Sequence, residues 1–188
     1  MFKPSLPKYM TQEEVEQFFS TIEDQRDKAL FSLIYHYGLR VGEATLLNLA
    51  DVDLRRNKIL IKRIKGGVSG EKPLWKDTKR LLKTYLQKRN GNNKALFTGR
   101  QGRLGRRRIQ QLFIHYARKA SFKNGYSVHS LRHSIAVHIL DAGEAIEFVQ
   151  DHLGHRNVQN TQIYSKISDR KRKEIFEKLE RSSEIVRF

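Results

Sequence analysis

A mainly α-helical fold carrying one small β-sheet or hairpin, an α+β class, is the architecture this sequence predicts. Three observations lead to it. Apolar residues recur at helical spacing through most of the chain. One stretch, NKILIKRIKGGVSGEKPLW (57–75), departs from that spacing and sets Ile, Val and Trp on the two sides of a glycine-rich turn. The 188 residues are 38% hydrophobic, a globular composition at a length suited to one domain with a real core.

The elements follow in order. Thr11 and Glu14 form a capping box, and Val15, Phe18, Phe19 and Ile22 then make an apolar stripe. Leu30, Leu33, Ile34 and Tyr37 repeat the spacing, with Gly38 as the left-handed stop. The next helix is expected from Val41 to Leu49. Gly66, Gly67 and Gly70 mark the turn of the 57–75 hairpin, although its alternation is imperfect. A helix over 78–89 carries Leu81, Leu82, Tyr85 and Leu86 on one face. The cleanest period lies over 106–120, where Ile109, Leu112, Phe113, Tyr116, Ala117 and Ala120 align. Further helices are expected over 130–141, 144–153 and 171–181, punctuated by Gly143 and Gly154. No repeat, low-complexity tract or linker divides residues 1–188, so a single domain is expected.

Composition removes several kinds of chemistry. The sequence contains no cysteine, which excludes disulfides, thiolate metal sites and a cysteine nucleophile. No apolar run reaches the roughly 18 residues of a membrane span, and the N-terminus does not read as a signal peptide. A soluble, cytoplasmic protein without membrane partners is expected. Charge gives the direction: 37 Lys and Arg against 20 Asp and Glu leave +17, a field that attracts polyanions and above all nucleic acid. Nucleoid association is the corresponding expectation. Residues 1–30 are net −2, and the excess is concentrated in GRQGRLGRRR (99–108) and DRKRK (169–173). A basic face with the N-terminal helix turned away from it is the simplest arrangement, with Arg106, Arg107 and Arg108 as candidate DNA contacts.

The candidate chemistry is spread along the chain. His129 and Arg132, three apart at a helix start, point the same way. Arg132 offers a planar fork for two phosphate oxygens and His129 a proton donor or acceptor near neutrality. Taken alone, His-x-x-Arg is common by chance. His129, His133 and His138 also raise a zinc reading, but no Glu stands between the first two and Arg132 would crowd the cation, so no metal is expected. Arg40 sits in a turn between helices, with Glu43 three residues on to orient it. Lys65 lies at the hairpin tip, placed to deliver a proton to a leaving oxygen. Tyr164 follows Leu153-Gly154-His155 at an interval of nine residues from the histidine, and Ile163 beside it suggests a half-buried helix.

In combination, HYGLRVGEATLLNL, the hairpin lysine, HSLRHSIAVHIL and DHLGHRNVQNTQIYSK strongly resemble the tyrosine recombinase (phage integrase) family over about residues 11–180. The resemblance implies that family's catalytic-domain fold. It implies that Arg40, Arg132 and His129 clamp a scissile DNA phosphate. His155 takes the second histidine position, and Tyr164 attacks to give a 3′-phosphotyrosyl link and a free 5′-hydroxyl. Lys65 would protonate the leaving 5′-oxygen, and Glu43 and His133 would brace the arginines and the fold. A phenol with a pKa of about 10 needs such surrounding cations. The phosphotyrosine keeps the bond energy, so the resemblance implies no cofactor, metal or ATP. Double-stranded DNA with paired recombination sites would be the partner, bound by a tetramer whose free form is monomeric, with DNA-bending proteins as accessories.

There are departures from the family pattern. Most members carry a core-binding domain ahead of the catalytic one, and none is expected here. A fragment of a longer enzyme and a naturally short recombinase both fit. DHLGHRN and KRIKGGVSGEKPL lean toward the short fimbrial phase-variation invertases. Half a clamp on DNA predicts strongly salt-dependent binding. The hairpin reads Ile-Lys-Gly-Gly where Gly-Lys-Gly is frequent, so Lys62 and Lys72 stand as alternatives to Lys65. A non-catalytic DNA-binding module on this fold and a type IB topoisomerase are the competing functions.

Overall fold

The computed structural model describes residues 7–64, 66–122, 125–157, 159–165 and 177. Lys65 and the helix expected over 171–181 lie outside the described residues, save for Glu177. Helix α1 (Gln12–Ser20) opens on the expected reciprocal capping box, Thr11 with Glu14. Helix α2 (Gln25–His36) is capped by the Asp24 side chain and closes at Gly38, whose φ is +54°. Helix α3 (Val41–Leu46) ends three residues short of the expected Leu49. There the Leu96 N–H donates to the Leu47 carbonyl and the Leu49 N–H to the Lys94 carbonyl. These long-range backbone bonds outcompete another helical turn and leave a single 3₁₀ turn at Leu49–Asp51.

The 57–75 stretch is a hairpin, β2 (Lys58–Ile61) with β3 (Gly70–Pro73), and Ile61 pairs with Gly70. A short strand that the sequence did not suggest, β1 (Val52–Asp53), adds antiparallel to β2 and gives the order β1-β2-β3. Ile59 and Ile61 face the core and Lys58 faces water, as strand geometry requires. Helix α4 (Lys76–Lys88) packs on α2. A second small hairpin, β4 (Thr98–Gly99) with β5 (Gly102–Arg103), folds the arginine-rich stretch back before α5 (Arg106–Lys119). Helices α6 (Val128–Asp141), α7 (Ile146–Leu153) and α8 (Gln159–Ser165) complete the described chain.

Helix α6 runs through the middle, buried along most of its length, and joins two apolar clusters. The larger contains Phe18, Phe31, Phe113 and Tyr116 from α1, α2 and α5, with the Phe18 and Phe31 rings edge to face at 5.4 Å. The smaller packs α6 against α7 and Tyr164 of α8. Helix α1 binds the C-terminal end of α5, where Thr21 donates to Tyr116 O and Gln17 to Ala120 O. Arg106, Arg107 and Arg108 lie exposed at the other end, roughly 18 Å along the axis. The N-terminal helix is thus removed from that basic cluster.

Candidate active site

The α2–α3 turn and the end of α7 enclose a network of arginines. Arg40 takes the N-cap position of α3. Its N–H donates to Glu43 Oε2 at 2.9 Å and its Nη1 to Glu43 Oε1 at 2.7 Å. Arg63, just beyond β2, donates from Nη1 to Glu43 Oε2 at 2.9 Å, and the Ile64 N–H reaches Oε1 at 3.3 Å. The Glu43 side chain is fully covered. Burial by itself would raise its pKa. The Arg40 N–H and the Arg63 charge outweigh burial and hold the carboxyl below the ordinary range, so it stays ionised between two guanidinium groups.

Arg132 enters from α6 and is 4% exposed. Its Nη1 donates to the Gly38 carbonyl, and its Nη2 donates to Leu153 O at 3.1 Å and to His155 Nε2 at 2.7 Å. A guanidinium only donates, so Nε2 of His155 is the acceptor and Nδ1 carries the proton, given to Thr161 Oγ1 at 2.9 Å. Burial, then the charges of Arg132, Arg40 and Arg63, push His155 down to about 4 and keep it neutral. Burial and the neighbouring Arg40 and Arg63 push Arg132 down to about 9. A bound anion in this cluster would relieve that repulsion.

Tyr164 sits beside this cluster on α8, 2% exposed, while its neighbour Ile163 is exposed. Its hydroxyl meets His133 Nδ1 at 2.8 Å. Burial raises the phenol, and the Arg132 and Arg40 charges act against that rise. Burial pushes His133 down to about 4, with the His129 and Arg132 charges contributing. His129 is exposed on the first turn of α6. Arg40, Arg132, His155, Tyr164, Glu43 and His133 therefore belong to one connected neighbourhood, with His129 one turn from His133.

The three histidines of the zinc reading diverge. His133 meets Tyr164, while His138 Nε2 donates to Met10 O at 3.0 Å and its Nδ1 accepts from Tyr35 at 2.8 Å. Among the described residues no three His, Asp or Glu side chains are placed to hold a metal ion. The alternative lysines both have partners: Lys62 bonds Asp51 at 2.6 Å, and Lys72 pairs with Asp151. Of the candidate DNA contacts on α5, Arg106 lies beside α3. Its guanidinium lies so close to Gly42 on α3 that a Cβ there would be 2.9 Å from Nε.

Sequence reasoning missed Arg63, His152 and Thr161. Arg63 left a signal, since it continues the inward register of Ile59 and Ile61, where a charge demands buried partners. Thr161 and the His152 carbonyl left none, because a hydroxyl or a backbone oxygen acquires its role only from what faces it.

The fold and this arginine–histidine–tyrosine neighbourhood define a class shared by proteins of known kind. The chain belongs to the phage integrase family, whose model matches residues 8–171. It is 34% identical over 178 residues to tyrosine recombinase XerA of Pyrococcus horikoshii, covering 93% of this chain and 62% of the relative. To tyrosine recombinase XerC of Chromobacterium violaceum it is 39% identical over 145 residues, covering 76% of this chain and 48% of the relative. Among solved structures it resembles a XerA recombinase crystal structure with a TM-score of 0.81 at 27% identity, covering 95% of this chain and 67% of that one. It also resembles XerH site-specific recombinase bound to palindromic difH substrate in a post-cleavage complex, with a TM-score of 0.77 at 26% identity, covering 91% and 53%. The chain spans about three fifths of the length of the XerA relative. These relatives are named XerA and XerC, and the leaning toward invertases rests on the two sequence stretches given above.

Proposed function

We propose that this chain carries the strand-cleaving and rejoining site of a site-specific tyrosine recombinase acting on double-stranded DNA. One observation carries the reading: the Tyr164 hydroxyl lies within the field of Arg132 and Arg40, bonded to a neutral histidine. The DNA-bound XerH neighbour and the charge of +17 support DNA as the substrate. Paired sites and a tetramer on DNA are part of the same proposal.

In this mechanism Arg40 and Arg132 hold the non-bridging oxygens of the scissile phosphate, with His129 and His155 as further contacts. The phosphate takes the Arg132 donor now given to the His155 ring and offsets the repulsion among the guanidinium groups, while the Gly38 and Leu153 carbonyls keep their bonds. The Tyr164 oxygen attacks phosphorus as its proton passes to His133 Nδ1. The P–O bond to the 5′-oxygen breaks, and that oxygen takes a proton from Lys65. The engagement of Lys62 with Asp51 and of Lys72 with Asp151 favours Lys65 for this step. Rejoining is the reverse: a 5′-hydroxyl attacks the phosphotyrosine and restores the phenol.

The test is covalent trapping on nicked duplexes carrying candidate inverted repeats, read on a denaturing gel. The wild-type chain should form a protein–DNA adduct, and Tyr164→Phe should form none while retaining DNA affinity. An adduct that survives in Tyr164→Phe removes the assignment. Binding without any adduct from the wild-type chain points to a non-catalytic module.

A further inference from the structure

We propose that Arg63 is a positioning residue that sets the geometry of the Arg40–Arg132 pair; the proposal rests on the recombinase reading above. Its side chain is 2% exposed, and a guanidinium withdrawn from water must find acceptors for its donors. Nη1 donates to Glu43 Oε2 at 2.9 Å and to Gly38 O at 3.3 Å, and Nη2 donates to Tyr37 O at 2.8 Å and to His152 O at 2.6 Å. One planar fork thus joins the end of β2, the α2–α3 turn and the end of α7.

Arg132 spans the same gap in parallel, from the Gly38 carbonyl to the Leu153 carbonyl. The two guanidinium groups share the Gly38 oxygen, and Arg63 shares the Glu43 carboxylate with Arg40. A displacement of Arg63 is therefore passed to Arg132 through a carbonyl and to Arg40 through a carboxylate. A lysine places its donors at one point and cannot span these acceptors.

Packing shows that the space around Arg63 is shaped for it. A Cβ at Gly67 would lie 2.8 Å from Arg63 Cβ, and one at Gly154 would lie 2.9 Å from Arg63 Cγ and Nε. The second glycine of Ile-Lys-Gly-Gly is thus accounted for by Arg63 together with the Gly154 carbonyl, which a Cβ at Gly67 would meet at 2.9 Å.

The experiment compares the wild-type 188-residue chain with Arg63→Lys, Arg63→Met and Gly67→Ala on a nicked duplex that gives adduct with wild type. Adduct formation is followed in single turnover at saturating protein, DNA affinity by anisotropy, and folding by thermal melting. Arg63→Lys and Arg63→Met should slow adduct formation by about 100-fold, as displaced catalytic groups do, with affinity changed less than about threefold. Gly67 has no positive φ, so alanine is conformationally allowed there, and its methyl, which presses on Arg63 Cβ and on the Gly154 carbonyl together, should slow cleavage about tenfold. If Arg63→Met fails to fold, the Arg63→Lys rate decides. Wild-type rates in Arg63→Lys, or equal losses of cleavage and affinity in the variants, overturn the proposal. Failure of the wild-type chain itself to form adduct on any repeat overturns the recombinase reading instead.

Discussion

Arg40 and Arg132 are alike in residue type and in their proposed work, yet the protein uses them differently. Arg40 keeps 24% of its side chain exposed and has Glu43 as its side-chain partner. Arg132 is buried and donates to the Gly38 and Leu153 carbonyls and to the His155 ring, sharing the Gly38 oxygen with Arg63. Both Arg40→Ala and Arg132→Ala should slow adduct formation by about 100-fold or more, beyond any loss of binding, because their contacts strengthen in the transition state. Arg132→Ala should also lower folding stability, by about 2–4 kcal/mol, since it strands buried acceptors and leaves a cavity. Arg40→Ala should lower it less, because Glu43 keeps Arg63 and the Ile64 N–H. Denaturant unfolding beside the adduct gel separates the two effects. This difference was not legible in the sequence, where each arginine followed a helical or turn pattern without a stated depth. The pair was legible only through the family resemblance, since the spacings of Arg40 with Glu43 and of His129 with Arg132 are each common by chance.

At the scale of elements, the turn at Gly38 joins the fold to the site. Its φ of +54° suits glycine, and a Cβ there would collide with Leu153 Cδ2. Gly38→Ala should cost about 1–2 kcal/mol for the left-handed backbone alone. It should also displace Leu153, whose carbonyl holds Arg132, so melting temperature and cleavage rate should fall together. A variant that melts as wild type but cleaves slowly would contradict that linkage. Gly38 was readable as a helix stop from Leu33, Ile34 and Tyr37 before it. The three residues lost from the end of α3, by contrast, follow from backbone bonds to the distant 94–96 segment. No local pattern announces such a competition.

For the whole molecule, buried histidines tie stability to pH. Burial holds His36, His133, His152 and His155 each down to about 4, against an ordinary value of 6.5. His36 and His152 are fixed by Thr78 and by the His36 carbonyl, respectively. Below pH 6.5 the unfolded chain binds protons that the folded chain refuses, so stability is lost as pH falls from 6.5 toward 4. The net charge of +17 adds self-repulsion in the same direction. Melting temperature measured at constant ionic strength should be level from pH 8 to 7 and drop steeply between 6.5 and 4.5. A level curve across that lower window would show that these rings are protonated in the folded state.

By itself the sequence determined the helical character, the hairpin, the basic charge and the residue types available for chemistry. Each of these is a property of neighbours a few positions apart or of composition. Only the tertiary structure decided that Glu43 lies between Arg40 and Arg63, that His133 meets Tyr164 31 positions away, and that His155 accepts a bond from Arg132. Those relations depend on which faces of α3, α6, α7 and α8 meet when the apolar clusters close. The physical reason is burial: removal from water turns a guanidinium, a carboxylate or an imidazole into a group that must find specific partners. In this chain those partners come from elements distant in sequence.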